Sequence, residues 1–179
     1  MIPVKWTFKK VAAIVFISWF AAIGFDLFLH AGLLARLYTR LSPFLLTAEK
    51  AFFRIPLGYI SFLILIIVLL WLMKRLDIAG YKRGVIFGLE FGALIWGAFV
   101  LGLYSISTAD WILLLAWWIG QTVELGIAGI VIGEGMNGRS LPKLFLWVAL
   151  FVILMIIITV ALQILGFAPA MKLATISSK

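Results

Sequence analysis

The sequence predicts an all-α integral membrane protein with about five transmembrane helices and a short interfacial amphipathic helix between the first two. Of its 179 residues, 65% are hydrophobic and only 12% are charged, whereas a soluble domain of this size is about half apolar and a quarter charged. The apolar residues form runs of about 20, the length that crosses the hydrocarbon core of a bilayer. Residues 1–179 are therefore expected to form a single membrane domain.

The first two spans are predicted at about residues 11–33 and 56–73. The first follows Lys9 and Lys10, but its apolar run is too long for the core of a signal peptide, so we expect it to be retained. The second starts at Pro56 and ends beside Trp71 and the Lys74–Arg75 pair, an aromatic residue next to cationic anchors.

The interfacial helix is predicted at about residues 43–54. Ser42 followed by Pro43 is typical of a helix start, with an N-cap and then proline in the first turn. Phe44 and Phe52 would lie on one side of this helix and Lys50 on the other, the pattern of a helix that lies along a membrane surface.

The remaining spans are predicted at about residues 84–105, 111–132 and 144–166. Only residues 106–110 separate the third span from the fourth, so these two should be antiparallel neighbours. The glycine-rich stretch 133–139 is predicted to be a loop. Ser140 and Pro142 then mark the start of the fifth span.

The net charge of +8 does not indicate a nucleic-acid partner, because the basic residues stand in short clusters at the ends of apolar runs. With five spans, nine lysines and arginines fall on the side of the N-terminus and six on the other side. The positive-inside rule then predicts a cytoplasmic N-terminus and an external C-terminus. The expected location is a bacterial inner membrane, with the lipid bilayer as the main partner.

Polar side chains divide the spans into two groups. The second and fifth are apolar nearly all round, which predicts that they lie at the periphery. The first, third and fourth contain Asp26, His30, Glu90 and Glu124, and we expect these three spans to pack together and bury those groups.

The spacing of these residues predicts two polar layers. In the fourth span Trp117, Gln121 and Glu124 share a face, and in the third span Glu90 and Tyr104 share another. Their depths place Glu90 level with Glu124 in an inner layer. The outer layer would hold Asp26 and His30 and would reach one or more of Arg36, Arg54, Tyr104 and Gln121.

Several kinds of chemistry are open to these groups. Glu90 and Glu124 could share a proton, bind a cation, flank a cationic ligand beside Trp117, or act only as polar contacts between helices. Asp26 and His30, four residues apart, suit one metal ion, an oriented imidazole or a pairing with arginine. A single histidine and the absence of cysteine argue against zinc or haem, and no cofactor is expected.

The favoured function is binding or transport of a hydrophobic or cationic small molecule, or of protons, through a polar cavity between the first, third and fourth spans. The candidate site residues are Asp26, His30, Glu90, Tyr104, Trp117, Gln121 and Glu124. The alternative is a non-catalytic accessory subunit of a larger membrane complex or a homo-oligomer. A third hypothesis is an enzyme that uses Asp26 and His30. It ranks below the other two because no HExxH or GxSxG sequence is present.

Overall fold

The computed structural model describes residues 7–39 and 42–169, and only the backbone at residues 48 and 49. Throughout these residues the regular structure is helical. The helices are α1 (Phe8–Phe28), continued by a π-helical turn (Leu29–Leu33) and a 3-10 turn (Ala35–Thr39), α2 (Ala48–Phe52), α3 (Ile55–Arg75), α4 (Tyr81–Ile106), α5 (Trp111–Met136) and α6 (Leu141–Ile164). Five of the described helices, α1 with its π turn and α3 to α6, are long and apolar enough to cross a membrane. Lys5, Arg40, Lys172 and Lys179, which enter the charge count, lie outside the described residues.

Each predicted span corresponds to one of these helices, and the largest difference is at the end of α5. The stretch that begins at Gly133, predicted to be a loop, remains helical as far as Met136. Glycine is needed there for close packing: the Gly133 carbonyl accepts a hydrogen bond from the Gly80 N–H at 2.8 Å, and a Cβ at Gly135 would meet Ile14. The turn that follows uses Gly138, at φ 89°.

The interfacial helix is shorter than predicted and begins later. The Ser42 hydroxyl accepts a hydrogen bond from the Phe44 N–H at 3.2 Å, which closes a local turn where a helix N-cap was expected. The helix itself occupies only Ala48–Phe52. Phe44 packs against Trp117 while Phe52 is exposed, so the predicted apolar face is divided between two surroundings.

Helix α5 lies at the centre of the bundle, with half of its span buried compared with 17% for α4. Its contact with α4 is made through glycine. A Cβ at Gly84 would meet the carbonyl oxygen of Gly129, and one at Gly88 would meet that of Leu125. The two backbones therefore touch directly, as they do where small residues repeat every four positions.

Helix α1 packs against α5 and α6 and does not pack extensively against α4. A Cβ at Gly24 would meet Val152 of α6, and the Trp19 indole N–H donates to the Tyr59 carbonyl of α3 at 2.8 Å. The predicted grouping therefore holds for the fourth span, which packs against both the first and the third, but the first and third spans do not pack against each other extensively. Helix α4 is as little buried as α3 and packs mainly against one side of α5, with a smaller contact to α3.

Candidate functional site

A group of polar side chains lies between α1, the 3-10 turn and α5. We call it the polar cluster, and its members are Asp26, His30, Tyr38, Trp117, Gln121 and Glu124. Five of these were predicted site residues. The structure thus brings Asp26 and His30 together with the polar face of the fourth span.

The local helix geometry places these groups. Asp26 and His30 are four residues apart, and the imidazole Nε2 lies 3.2 Å from Asp26 Oδ1. The chain then widens into the π turn, in which the Leu34 N–H donates to the Leu29 carbonyl at 2.7 Å. The 3-10 turn that follows reverses the chain and brings the Tyr38 ring next to the His30 ring, with centroids 5.6 Å apart.

Tyr38 is hydrogen-bonded on both sides. The Trp117 indole N–H donates to its hydroxyl oxygen at 2.6 Å, and His30 Nδ1 lies 2.5 Å from the same oxygen. Because an indole can only donate, the Tyr38 proton is free to be donated to Nδ1. Burial raises the pKa of Tyr38 well above its ordinary value, so the hydroxyl keeps that proton.

This arrangement selects the tautomer of His30. If Nδ1 accepts from Tyr38, a neutral imidazole carries its proton on Nε2 and donates it towards Asp26. The Gln121 amide also lies 3.3 Å from Nε2. Turning this amide by half a rotation places its oxygen towards the Nε2–H, which then has acceptors in both Gln121 and Asp26.

Glu124 is the innermost member of the polar cluster. It lies one turn beyond Gln121 and interacts with it, is 1% exposed, and its Oε2 has no hydrogen-bond partner. The Asp26 carboxyl acts on it electrostatically. Glu124 stands thirteen residues after the start of α5, about 20 Å along the helix axis at 1.5 Å per residue.

The predicted pairing of Glu90 with Glu124 is wrong, because Glu90 is exposed on the outside of α4. Glu90 is two residues from Gly88 and two from Gly92, which is a rotation of about 200° from each. Since the glycine face packs against α5, the carboxyl points away from it. Glu90 lines an open cleft of about 200 Å³ with Arg83 and Phe87.

Among the described residues, Tyr104, Arg36 and Arg54 make no hydrogen bond or ion pair with the polar cluster. Tyr104 is 60% exposed and lines a second open cleft, of about 210 Å³, with Trp111 and Trp118. Arg36 donates to the Gly166 carbonyl at 2.5 Å, and Arg54 is the N-terminal flanking residue of α3. The outer polar layer therefore consists of Asp26 and His30 with Gln121, without Tyr104 or an arginine.

Tyr38 was not among the predicted site residues. It lies beyond the end of the first span, and only the reversal of the chain after the π turn brings it back to His30. Neither periodicity nor composition indicates such a reversal. Its one visible signal is proximity in sequence, eight residues after the only histidine of the chain.

The polar cluster contains two carboxyls and one imidazole, which are groups that can bind metals. Within residues 7–39 and 42–169, no three carboxylate or imidazole side chains are arranged to hold a metal ion. The groups present can donate, accept and exchange protons. No protein-family profile matches the chain, and no curated protein or solved structure is significantly similar to it.

Proposed function

We propose that this chain is an integral membrane protein that binds and releases protons at Glu124, within the polar cluster. The five candidate spans support insertion in the membrane. The distribution of lysine and arginine favours an orientation with the N-terminus in the cytoplasm and the C-terminus outside, and the membrane that we propose is a bacterial inner membrane.

The observation that carries this proposal is the setting of Glu124. Its carboxyl is buried about halfway along a helix of spanning length, with Oε2 unpartnered. An ionisable group at such a depth is a functional candidate in its own right. Since the neighbouring groups are hydrogen-bond donors and acceptors, proton exchange is the chemistry that they support best.

A row of side chains connects Glu124 with the less buried end of α1. Gln121 interacts with both Glu124 and His30, and the His30 side chain is 30% exposed. An imidazole can take a proton on one nitrogen and release one from the other. In this scheme His30 exchanges protons with water, and Gln121 keeps the imidazole and the Glu124 carboxyl in line.

Asp26 adds a second carboxyl, which interacts electrostatically with Glu124. The two carboxyls interact through their charges, so Asp26 is part of the electrostatic setting of Glu124. The predicted pair of acids is thus replaced by a different pair, Asp26 with Glu124. Its members come from α1 and α5, the two most buried spans.

A larger hydrophobic or cationic ligand is less well supported than a proton. The two best-formed clefts of the described residues are lined by Glu90 and by Tyr104, away from the polar cluster. The alternative of an accessory subunit is favoured by a different feature, the exposed carboxyl of Glu90 on α4.

The proposal is tested by infrared difference spectroscopy on the protein in lipid nanodiscs as the pH is changed. We expect a carbonyl band of a buried protonated carboxyl that appears or disappears with pH and is missing in Glu124→Gln. Asp77→Asn, which removes an exposed acid from the turn before α4, should leave that band in place. A spectrum of Glu124→Gln that matches the wild type would disprove the proposal.

A further inference from the structure

The side of α4 that faces away from α5 forms a regular stripe. We call it the outer face of α4, defined by Ile86, Glu90, Leu94 and Leu101. Ile86, Leu94 and Leu101 are 55%, 74% and 71% exposed. Intervals of four, four and seven residues keep all four side chains on one face of a helix, which is the spacing of a surface that packs against another helix.

Glu90 is the exception within this apolar stripe. It is exposed, and in the described part of the chain no salt bridge or hydrogen bond involves its carboxyl. It stands nine residues after the start of α4, which places it about 9 Å inside a 30 Å hydrocarbon layer centred on the helix. A carboxyl facing lipid at this depth is costly and calls for a partner.

Among the described residues, no side chain supplies that partner. Arg83 lines the same cleft but makes no ion pair with Glu90. It lies seven residues earlier, about 10 Å nearer the end of α4. At that position its guanidinium reaches the membrane surface more easily than the depth of Glu90.

We propose that the outer face of α4 docks a transmembrane helix of another protein that carries a lysine or arginine at the depth of Glu90. The apolar stripe supplies the packing surface, and the Glu90 carboxylate supplies the complementary charge. The inference rests on the membrane insertion proposed above, but not on proton binding by Glu124.

Charge also decides against a second copy of this chain. Two copies with the same membrane orientation, related by an axis along the membrane normal, would place Glu90 of each at the same depth. Two like carboxyls would then face each other, which is unfavourable. A basic residue on the partner helix would neutralise the charge of Glu90. It would also make the outer face of α4 bind that helix in preference to lipid.

The test uses a leucine–alanine transmembrane peptide of about 20 residues with a single lysine near its middle, compared with the same peptide carrying leucine there. Each peptide, labelled with an acceptor fluorophore, is reconstituted with the full chain in vesicles. The chain has no cysteine, so Thr108→Cys in the exposed loop after α4 gives one donor site. Energy transfer then reports association.

We expect the lysine peptide to bind the wild-type chain about tenfold more tightly than the leucine peptide. The ratio should fall to about one in Glu90→Gln and persist in Asp77→Asn, which removes an equal charge outside the span. Glu90→Lys should prefer a peptide with glutamate at the middle position.

Three results would overturn the proposal. The first is a wild-type chain that does not distinguish the two peptides, and the second is a preference that survives Glu90→Gln. The third is energy transfer between copies of the chain that disappears in Glu90→Gln, which would assign this face to self-association. If the wild-type chain did not insert in vesicles, both the docking proposal and the proposed membrane insertion would be overturned. An unchanged infrared spectrum in Glu124→Gln would overturn only the proposal that Glu124 binds protons.

Discussion

Helix α5 packs against α4 and α1 in two different ways. Towards α4, Gly129 faces the Gly84 carbonyl and Gly133 faces that of Gly80, whereas Gly126 meets the Leu89 side chain. Towards α1 its glycines meet side chains, with Gly120 against Leu29 and Gly135 against Ile14. The backbones of α4 and α5 therefore touch directly at Gly129 and Gly133, whereas side chains lie between α5 and α1 with its π turn at Gly120 and Gly135.

This difference explains where the polar groups lie. Between α4 and α5 the backbones touch, so there is no room for a carboxyl or an amide at the centre of the contact. Between α1 and α5 the side-chain layer leaves space for Asp26, His30 and Gln121, which hydrogen-bond or ion-pair with one another. Close helix packing and a polar site thus occupy opposite sides of one helix.

The largest expected effect comes from adding a side chain to the glycine face. Gly88→Val should lower the free energy of unfolding by about 3 kcal/mol or more, because its Cβ meets the backbone carbonyl of Leu125, which cannot move aside. Gly102→Val on the same helix faces open space and serves as the control. Denaturant unfolding in detergent measures both, and equal losses would show that backbone contact does not hold α4 to α5.

The variant Tyr38→Phe removes hydrogen bonds on the polar side of α5. The change leaves the Trp117 N–H and His30 Nδ1 without their shared partner, and we expect a loss of about 2 kcal/mol. Tyr104→Phe, at an exposed tyrosine, should change stability by less than about 0.5 kcal/mol. The tryptophan emission followed during unfolding reports both variants. If the two tyrosines prove equivalent, the hydrogen bonds of Tyr38 contribute nothing to stability.

A pair of alanine variants compares the two sides of α5 directly. Gly120→Ala should cost about 1 kcal/mol, since the Leu29 side chain that it meets can change its rotamer. Gly88→Ala should cost more, because it meets a main-chain oxygen. Thermal unfolding of both proteins under the same conditions gives the order, and the reverse order would refute the distinction between a side-chain layer and a backbone contact.

The smallest effect on the isolated chain is expected at Glu90. Glu90→Gln removes a carboxyl that is exposed and has no partner among the described residues, so stability in detergent should change by less than about 0.5 kcal/mol. Denaturant unfolding beside the wild type tests this. A loss above about 1 kcal/mol would mean that Glu90 makes an internal contact, and would weaken its assignment to a partner helix.

The sequence predicts the five long helices well, because their apolar runs dominate every local signal. The sequence predicts less reliably whether a glycine lies inside a helix or in a turn. The run from Gly133 to Gly138 contains packing glycines inside a helix and one glycine in a turn, and these two uses look the same in sequence. Only the position of the neighbouring helix separates them.

The site was predictable in part for a similar reason. Trp117, Gln121 and Glu124 share a face of one helix, and helical spacing alone identifies that face. Helix α4 offers two candidate faces, one with Glu90 and one with Gly84, Gly88 and Gly92. The glycine repeat is typical of a packing surface, but an acid within a span also predicts burial, and only the glycine face packs. The approach of Tyr38 depends on a π turn and a chain reversal that no periodic pattern encodes.

Proton uptake by the reconstituted protein tests the central claim most directly. The count of protons bound per chain, measured by titrating nanodisc-embedded protein across the physiological range of pH, is compared between wild type and Glu124→Gln. The account predicts that the wild type binds one proton more per chain than Glu124→Gln. Equal counts for the two proteins would contradict it and leave Glu124 as a contact between helices.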